Sequence, residues 1–452
     1  MAIKPKNPIF GNWWKGIGFS KYDTAFFDAL TNADIISEVG SLKCNFGLKK
    51  DSGTTITEQC LQVVCPSGII YFFSQSSGSI WKRSTVGTYS SVTANANGAH
   101  AGCGFYNGYV YYADNTTKLG RFNPDTEGNR NDSWKSFTNS GFPRPMKVQN
   151  NILHIGDYNN VFTVNASDSI SATALVLNNE FTVSAFHNYG YDLLVMTYAG
   201  AYRNNAGIFR WDTSSSSWSS EYYLAEPAIN IVIPTDRTDI IFIQAGTAGN
   251  IYEFDGSYLN FWKQVRGVTT TANGHMHDRT CAFNRKHLFS IGANIYSISQ
   301  PQPNMDFALN MEYVCSQGSG ATIWSLGALG NSTLIATWTA SGSGVDVIDT
   351  NYATASVAIT LVSQRIHDII IYTDSLPTGT SIGLEINPDG TGWISKAVVV
   401  DSADQFVVKC AVDIANKRTV QARVTLNPNN SVTPATPSVS HIEFIPYPVP
   451  KQ

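Results

Sequence analysis

Charge is scarce in this chain, and no segment concentrates it. Only 14% of the residues are Asp, Glu, Lys or Arg, whereas about a quarter is usual in soluble domains. The net charge is −4, and basic residues cluster no more densely than in pairs such as Lys49-Lys50 and Lys82-Arg83. Because electrostatic wrapping of nucleic acid needs many basic contacts, the sequence predicts no nucleic-acid sequence recognition.

Long apolar runs are also missing. The first 23 residues lack the apolar core of a secretion signal, and no stretch approaches the roughly 20 residues that cross a bilayer as a helix. We therefore expect a chain that is made in the cytosol and has no membrane span. The seven cysteines form no Cys-x-x-Cys pair, so buried free thiols are expected, with a disulfide or a metal site as the alternative. Neither a metal nor another cofactor is predicted.

Aromatic and β-branched residues are abundant instead, and they occur in short paired runs. Seven times a short apolar run is followed within 7 to 15 residues by a second one, and the pairs recur every 40 to 48 residues. Turns rich in Asn, Gly and Asp separate the two runs of a pair. Repeats of this length, built from strands with almost no helical pattern, are typical of β-propeller blades. The first runs centre near Ile70, Val110, Ile152, Leu193, Ile241, Leu288 and Leu334.

The character of the sequence changes at two places. Residues 1–60 are irregular, residues 61–361 hold the repeats, and residues 362–452 contain short strands separated by turns. We predict an all-β protein, in which a β-propeller of about seven blades is followed by a small antiparallel β-sandwich. Six or eight blades remain possible, because the last repeat, between Leu334 and Ile348, is irregular.

The N-terminal segment carries too many aromatic side chains for a free tail. Two placements remain open. In the first, the segment stays with its own propeller, either by packing back on it or by adding the strand that closes the ring. In the second, it is an arm that docks onto a neighbouring subunit. In the second case, the candidate assembly contacts are Trp13, Trp14, Phe19, Phe26 and Phe27.

The C-terminal stretch contains a series of motifs in a fixed order. LPTGTSIGLEINPDGTGW is followed by VQARVTLNPNN and then by TPATPSVSHIEF. This series resembles a sandwich found at the end of many tailed-bacteriophage virion proteins. With the propeller before it, the chain is similar to hub, tail-accessory and minor tail proteins of phages. The residues that carry the resemblance include Pro377, Gly379, Asp389, Gly390, Trp393 and Arg423.

The resemblance implies a structural role in the virion and brings no catalytic residues. It also implies that copies assemble in a symmetric ring, with portal, adaptor, tail or fibre subunits as partners. On this basis we expect a non-enzymatic subunit of a phage tail, hub or head-tail connector region.

Residues suited to catalysis do not form a recognisable motif. The Asp389–Trp393 turn resembles a sialidase Asp-box, but it occurs once and is one residue short, so a hairpin turn is the better interpretation. His275 and His277, next to Asp278, can hold a metal only with further ligands that the spacing does not indicate. Paired carboxylates for a glycosidase would have to come from different blades. The candidates near strand and turn ends are Asp114, Asp157, Asp212, Asp239 and Asp255.

Two alternatives to the structural role remain open. The Tyr-rich, weakly charged loops suit protein or sugar contacts, which favours a host-receptor or carbohydrate-binding propeller on a tail tip or cell surface. A propeller glycosidase is the other alternative, and it requires acidic groups that converge in the central channel.

Overall fold

The computed structural model consists of strands and turns in its described part. A 3-10 turn lies at Gly318–Gly320, and no helix in the described ranges has the length and hydropathy needed to cross a membrane. The described residues are 9–11, 13, 16–18, 27–38, 40–51, 56, 58–85, 87–94, 98–127, 130–199, 204–265, 279–300, 302, 305–362, 365–400, 407–414, 417, 419–431 and 433–447.

Five short strands open the described chain. The last of them lies outermost in a sheet that is otherwise built from much later residues, which is one of the placements that the sequence left open. The five strands are β1 (Ile9–Phe10), β2 (Ala29–Thr31), β3 (Ala33–Asp34), β4 (Leu42–Cys44) and β5 (Phe46–Lys50).

Seven four-stranded sheets follow among the described residues. In the first six, four consecutive strands are neighbours in chain order. The seventh has the order β30-β31-β32-β5. The strands of the first three sheets are β6 (Cys60–Val64), β7 (Ile70–Ser74), β8 (Ser79–Arg83) and β9 (Tyr89–Ala94); β10 (His100–Tyr106), β11 (Tyr109–Asp114), β12 (Lys118–Phe122) and β13 (Asn131–Ser136); and β14 (Met146–Gln149), β15 (Ile152–Asp157), β16 (Asn160–Asn165) and β17 (Ile170–Val176). Those of the next three are β18 (Phe181–Tyr189), β19 (Asp192–Ala199), β20 (Gly207–Trp211) and β21 (Ser220–Tyr223); β22 (Ile229–Ile233), β23 (Ile241–Ala245), β24 (Asn250–Phe254) and β25 (Leu259–Gln264); and β26 (Thr280–Phe283), β27 (Lys286–Ile291), β28 (Asn294–Ser299) and β29 (Ala308–Val314). The remaining strands of the seventh are β30 (Thr322–Leu329), β31 (Thr333–Thr339) and β32 (Ser343–Tyr352).

The chain divides into two compact units. The ring unit comprises Lys50–Ala293 and Gln317–Val347, and the two-sheet unit comprises Met1–Lys49, Asn294–Ser316 and Ile348–Gln452. The sequence-based boundaries, after residues 60 and 361, treat each region as continuous, whereas each compact unit combines segments that are far apart in the chain.

A closed circle of first strands forms the centre of the ring unit. The first strand of each sheet contacts the first strand of the next, from β6 through β10, β14, β18, β22 and β26 to β30, and β30 contacts β6 again. Sheets arranged radially around a channel in this way constitute a β-propeller, and the circle has seven members, as the repeat count predicts.

Apolar side chains fill the spaces between neighbouring sheets of the ring. Tyr71 and Phe73 of the first sheet share one cluster with Val110 of the second, and Phe72 shares another with Ile335 of the seventh. Because each sheet is covered on both faces, its central strands are apolar at successive positions. One sheet alone would leave these faces in water, so the stacking of neighbours supplies the stability.

A buried ion pair connects the second and third sheets. Arg144 and Asp157 are both fully buried, and the Arg144 guanidinium donates to the Asp157 carboxylate. The carboxylate also accepts backbone N–H bonds from Thr138 (3.1 Å) and Asn139 (3.3 Å). Gly102 is required beside this site, since a Cβ there would lie 1.7 Å from the carbonyl oxygen of Arg144.

Two antiparallel sheets share one core in the two-sheet unit. The first has the order β3-β4-β39-β34-β37, with β1 also pairing with β39, and the second has the order β2-β33-β38-β35-β36. Side chains from both sheets, such as Ile369 and Val357, belong to a single apolar cluster. Strands β1 to β4 are therefore part of this unit's sheets and not a separate arm. The strands not yet given are β33 (Ala355–Val362), β34 (Ile366–Thr373), β35 (Ser381–Pro388), β36 (Ile394–Val400), β37 (Val407–Ile414), β38 (Thr419–Asn427) and β39 (Ser438–Pro446).

Candidate functional site

Two of the five N-terminal aromatic residues lie in the described part, and both are buried. Trp13 and Phe27 are fully buried, with stacked rings whose centroids are 4.7 Å apart. The Trp13 indole Nε1 donates to the carbonyl oxygen of Ser440 at 2.7 Å. Both side chains belong to the core of their own unit, so they are not exposed to a neighbouring subunit. Trp14, Phe19 and Phe26 lie outside the described residues.

Several of the phage-motif residues form tight turns. Thr380 closes the first turn by donating its backbone N–H to the Pro377 carbonyl at 3.0 Å. Gly379 there has φ +76°, and a Cβ would lie 2.5 Å from the Asn429 side-chain nitrogen. The second turn connects β35 to β36 and has two consecutive positive-φ residues, Asp389 (50°) and Gly390 (73°). Such a pair is what a tight hairpin turn requires, so this motif is a hairpin and not an Asp-box.

The other motif residues stack on the outer face of the second sheet. The Arg423 guanidinium lies 4.3 Å from the centre of the Trp393 ring. It also forms an ion pair with Glu385, with 2.6 Å between Nη2 and Oε2. The Arg423 and Glu385 side chains are partly exposed, and they connect the neighbouring strands β38 and β35.

An exposed apolar edge lies beside this cluster. Strand β36 is the last strand of its sheet, and β37 is the last strand of the other sheet. The two edge strands contact each other, so they lie on the same side of the unit. Ile394 and Val398 on β36 and Val407 on β37 are 47%, 62% and 43% exposed. We call these three residues the apolar edge. The sequence analysis did not identify them, although the run Val398–Val400 marks a strand.

The carboxylates considered for glycosidase chemistry do not converge. Asp114, Asp212 and Asp255 each accept backbone N–H bonds from the turn that follows them in the chain. The other two, Asp157 and Asp239, form ion pairs with nearby arginines. Each of the five therefore has a local structural role.

The central channel contains a cavity of about 410 Å³. Its walls come from β6, β14, β18, β22, β26 and β30 and from residues beside them. None of the seven first strands contains Asp or Glu. The titratable side chains on its wall are Lys147, His187 and Cys281.

The environment of the channel disfavours the charged forms of its side chains. Burial lowers the pKa of Lys147. Burial, together with the charges of Lys147 and His287, lowers the pKa of His187 to about 3, so the imidazole is neutral near pH 7. Burial raises the pKa of the Cys281 thiol to about 12, so this thiol is not an activated nucleophile.

Candidate metal ligands are not assembled in the described part of the chain. No group of three His, Cys, Asp or Glu side chains suited to a metal occurs there. Six of the seven thiols are buried and Cys281 is partly buried, which agrees with the predicted buried cysteines. The pair His275 and His277, with Asp278, lies outside the described residues.

Comparison with known proteins identifies the fold. No protein-family model matches the sequence, and no curated protein does. Among solved structures, the chain is similar to a catalytically inactive virginiamycin B lyase from Staphylococcus aureus with quinupristin, at 14% identity and a TM-score of 0.50, over 68% of this chain and 100% of that chain. It is also similar to a streptogramin B lyase, at 11% identity and a TM-score of 0.50, over 68% and 98% of the two chains. At these identities the likeness concerns the fold alone, which is a β-propeller.

Proposed function

We propose that this protein is a non-enzymatic structural subunit of a tailed-phage particle. On this proposal, copies assemble in a symmetric ring and contact other virion proteins. The resemblance of the C-terminal motifs to phage virion proteins supports the class of protein. The observation that carries the mode of action is the apolar edge of the two-sheet unit.

The apolar edge has the properties of an assembly surface. Edge strands present unpaired backbone groups, and proteins that act alone usually protect such edges with charge, proline or a covering segment. Ile394, Val398 and Val407 are instead apolar and about half exposed. Burying the exposed part of each would contribute roughly 1 kcal/mol, from about 25 cal/mol per Å² of apolar area. Backbone hydrogen bonds between β36 and a strand of a neighbouring chain would also fix the orientation of the two chains.

The N-terminal aromatic residues have a different role in this proposal. Trp13 and Phe27 hold the N-terminal segment in the core of its own unit. Contacts between subunits are therefore assigned to the apolar edge and not to these two side chains.

Substitution of Val398 by Asp tests the proposal. The charge would be desolvated in an assembled interface, whereas it stays in water in the isolated chain. Val176→Asp is the matched control, because Val176 is 47% exposed on β17 of the ring unit. The native chain, V398D and V176D are each expressed in phage-producing cells, and the purified particles are analysed by mass spectrometry. Circular dichroism of each purified chain verifies folding.

The proposal predicts that the native chain and V176D enter particles, and that the amount of V398D in purified particles is at least tenfold lower. Absence of the native chain from purified particles would overturn the structural role. Normal incorporation of a folded V398D chain would overturn the assignment of the apolar edge while leaving the role intact.

A second candidate, carbohydrate binding, is favoured by exposed tyrosines on one rim of the ring unit. Tyr191 and Tyr258 are 88% and 69% exposed. They lie in the β18–β19 turn and the β24–β25 turn, and Tyr222 connects the two sheets by donating to the Gly256 carbonyl at 2.8 Å. Aromatic faces of this kind stack on sugar rings. Glycan-array binding that is lost in Y191A and Y258A would support it, and unchanged or absent binding would exclude it.

A further inference from the structure

The wall of the channel combines free backbone groups with a cation that has no counter-charge. Each first strand of the ring pairs with another strand of its sheet on one side only. Its other edge therefore turns backbone N–H and C=O groups towards the channel. Lys147, on β14, is partly buried and lines the cavity. Among the described residues, its side chain has no ion-pair or hydrogen-bond partner, and burial lowers its pKa.

Nothing else on the described wall neutralises this ammonium group. The first strands carry no carboxylate. The neighbouring titratable group, His187, cannot supply negative charge, and the charge of Lys147 helps to lower its pKa. Asp236 pairs with His287 at 2.9 Å and is largely exposed, and it does not line the cavity. Partial desolvation of a cation without a counter-charge is unfavourable, and an anion bound beside Lys147 would reduce that cost.

We propose that the channel binds a small, hydroxyl-bearing organic anion, such as an acidic monosaccharide. The carboxylate of the ligand would lie against Lys147. Its hydroxyl groups would bond to the backbone groups of the surrounding strand edges, to the hydroxyl of Thr280 and to the amide of Gln62, which both line the cavity.

The size and polarity of the cavity suit this ligand class. A volume of about 410 Å³ lies within the range of about 300–1,000 Å³ that is usual for small-molecule sites. The side-chain oxygen of Gln62 has no hydrogen-bond partner in the structure, and a small side-chain movement would let a ligand hydroxyl or a bridging water reach it. A purely apolar ligand would leave Lys147 and the strand edges without partners.

Titration with matched probes tests the inference on the full chain. Glucuronate is compared with glucose, which has the same ring but a neutral CH₂OH group, and with acetate, which has the carboxylate but no ring hydroxyls. Affinity is measured by calorimetry or ligand-observed NMR. Lys147→Met removes the cation and keeps a long apolar side chain. Lys135→Met is the control, because Lys135 lies on the outermost strand of the second sheet.

The proposal predicts that glucuronate binds at least tenfold more tightly than glucose or acetate, and that K147M but not K135M lowers its affinity at least tenfold. Equal affinity for acetate and glucuronate would overturn the role of the hydroxyl groups. Failure of glucuronate to bind, or unchanged affinity in a folded K147M chain, would overturn the site. These outcomes do not depend on particle assembly, so they leave the proposed structural role untouched.

Discussion

The ion pair between Arg144 and Asp157 offers the sharpest test of how the ring unit is held together. Asp157→Asn keeps the shape of the side chain but removes its charge. The guanidinium of Arg144 stays fully buried and retains carbonyl acceptors such as Thr116, at 3.3 Å. It loses the carboxylate that it contacts, and Asp114 remains as a nearby negative charge. Breaking a buried pair in this way typically costs about 3–5 kcal/mol. We therefore expect the free energy of unfolding to fall by about 4 kcal/mol.

An exposed pair of the same chemistry in the same unit serves as the control. The side chains of Arg237 and Asp239 are 46% and 58% exposed. Such pairs contribute about 0–1 kcal/mol, so Asp239→Asn should change stability by less than about 1 kcal/mol. Both variants are measured by urea unfolding, followed by tryptophan fluorescence and circular dichroism.

A double variant separates the charge from the packing. R144M/D157L removes both buried charges, and apolar replacement of a buried pair is often close to neutral. It should therefore be more stable than D157N alone. Equal small effects of D157N and D239N would refute the reasoning, as would a double variant that is no more stable than D157N.

Two further predictions concern acid stability and the N-terminal segment. Burial lowers the pKa of His100 and of His154 from 6.5 to about 4 in each case. Below pH 6.5 these two imidazoles are therefore protonated in the unfolded chain but remain neutral in the folded chain. The free energy of unfolding should fall as the pH decreases from 6.5 towards 4. The pH slope of the unfolding free energy reports the number of protons taken up on unfolding. Near pH 5.5, H100Q and H154Q should each lower this number by about one, and an unchanged slope would contradict the burial of these rings. Trp13→Ala should lower the free energy of unfolding by about 3–5 kcal/mol in a urea titration, whereas a loss below about 1 kcal/mol would show that the indole does not support the core.

The repeats were visible in the sequence because of the way the central strands are covered. The seven paired runs correspond to the second and third strands of the seven sheets, such as β7 and β8 in the first. Strand β7 is buried at all five positions, so its apolar residues are continuous and conspicuous. The outermost strand β13 alternates between exposed and partly buried positions, and its sequence NDSWKS gives almost no strand signal. The pattern therefore predicted the number of sheets more clearly than their edges.

The channel and the apolar edge could not be located from the sequence for a related reason. Lys147 is one of thirty Lys and Arg residues, and only the circular arrangement of first strands places it in the channel. Strand β36 contains three consecutive valines, which in isolation resemble a buried strand. Its position at the edge of a sheet decides that Val398 is exposed. That position depends on the pairing of β35 with β38, whose partner residues lie 32 to 46 positions apart in the chain.

The N-terminal aromatic residues illustrate a limit that is inherent in the hydrophobic effect. Burial of Trp13 and Phe27 removes apolar area from water, and this gain has the same size whether the covering surface belongs to the same chain or to another subunit. Composition therefore predicted that these side chains are covered, but not by what. The structure supplies directional contacts that composition lacks, namely the bond from the Trp13 indole to Ser440 and the pairing of β1 with β39. Strand pairing and the hydrogen bond of the indole N–H each require one particular partner. These contacts therefore show that the surface covering Trp13 and Phe27 belongs to the same chain. The proposed role in assembly is therefore assigned to side chains that remain exposed, such as Val398.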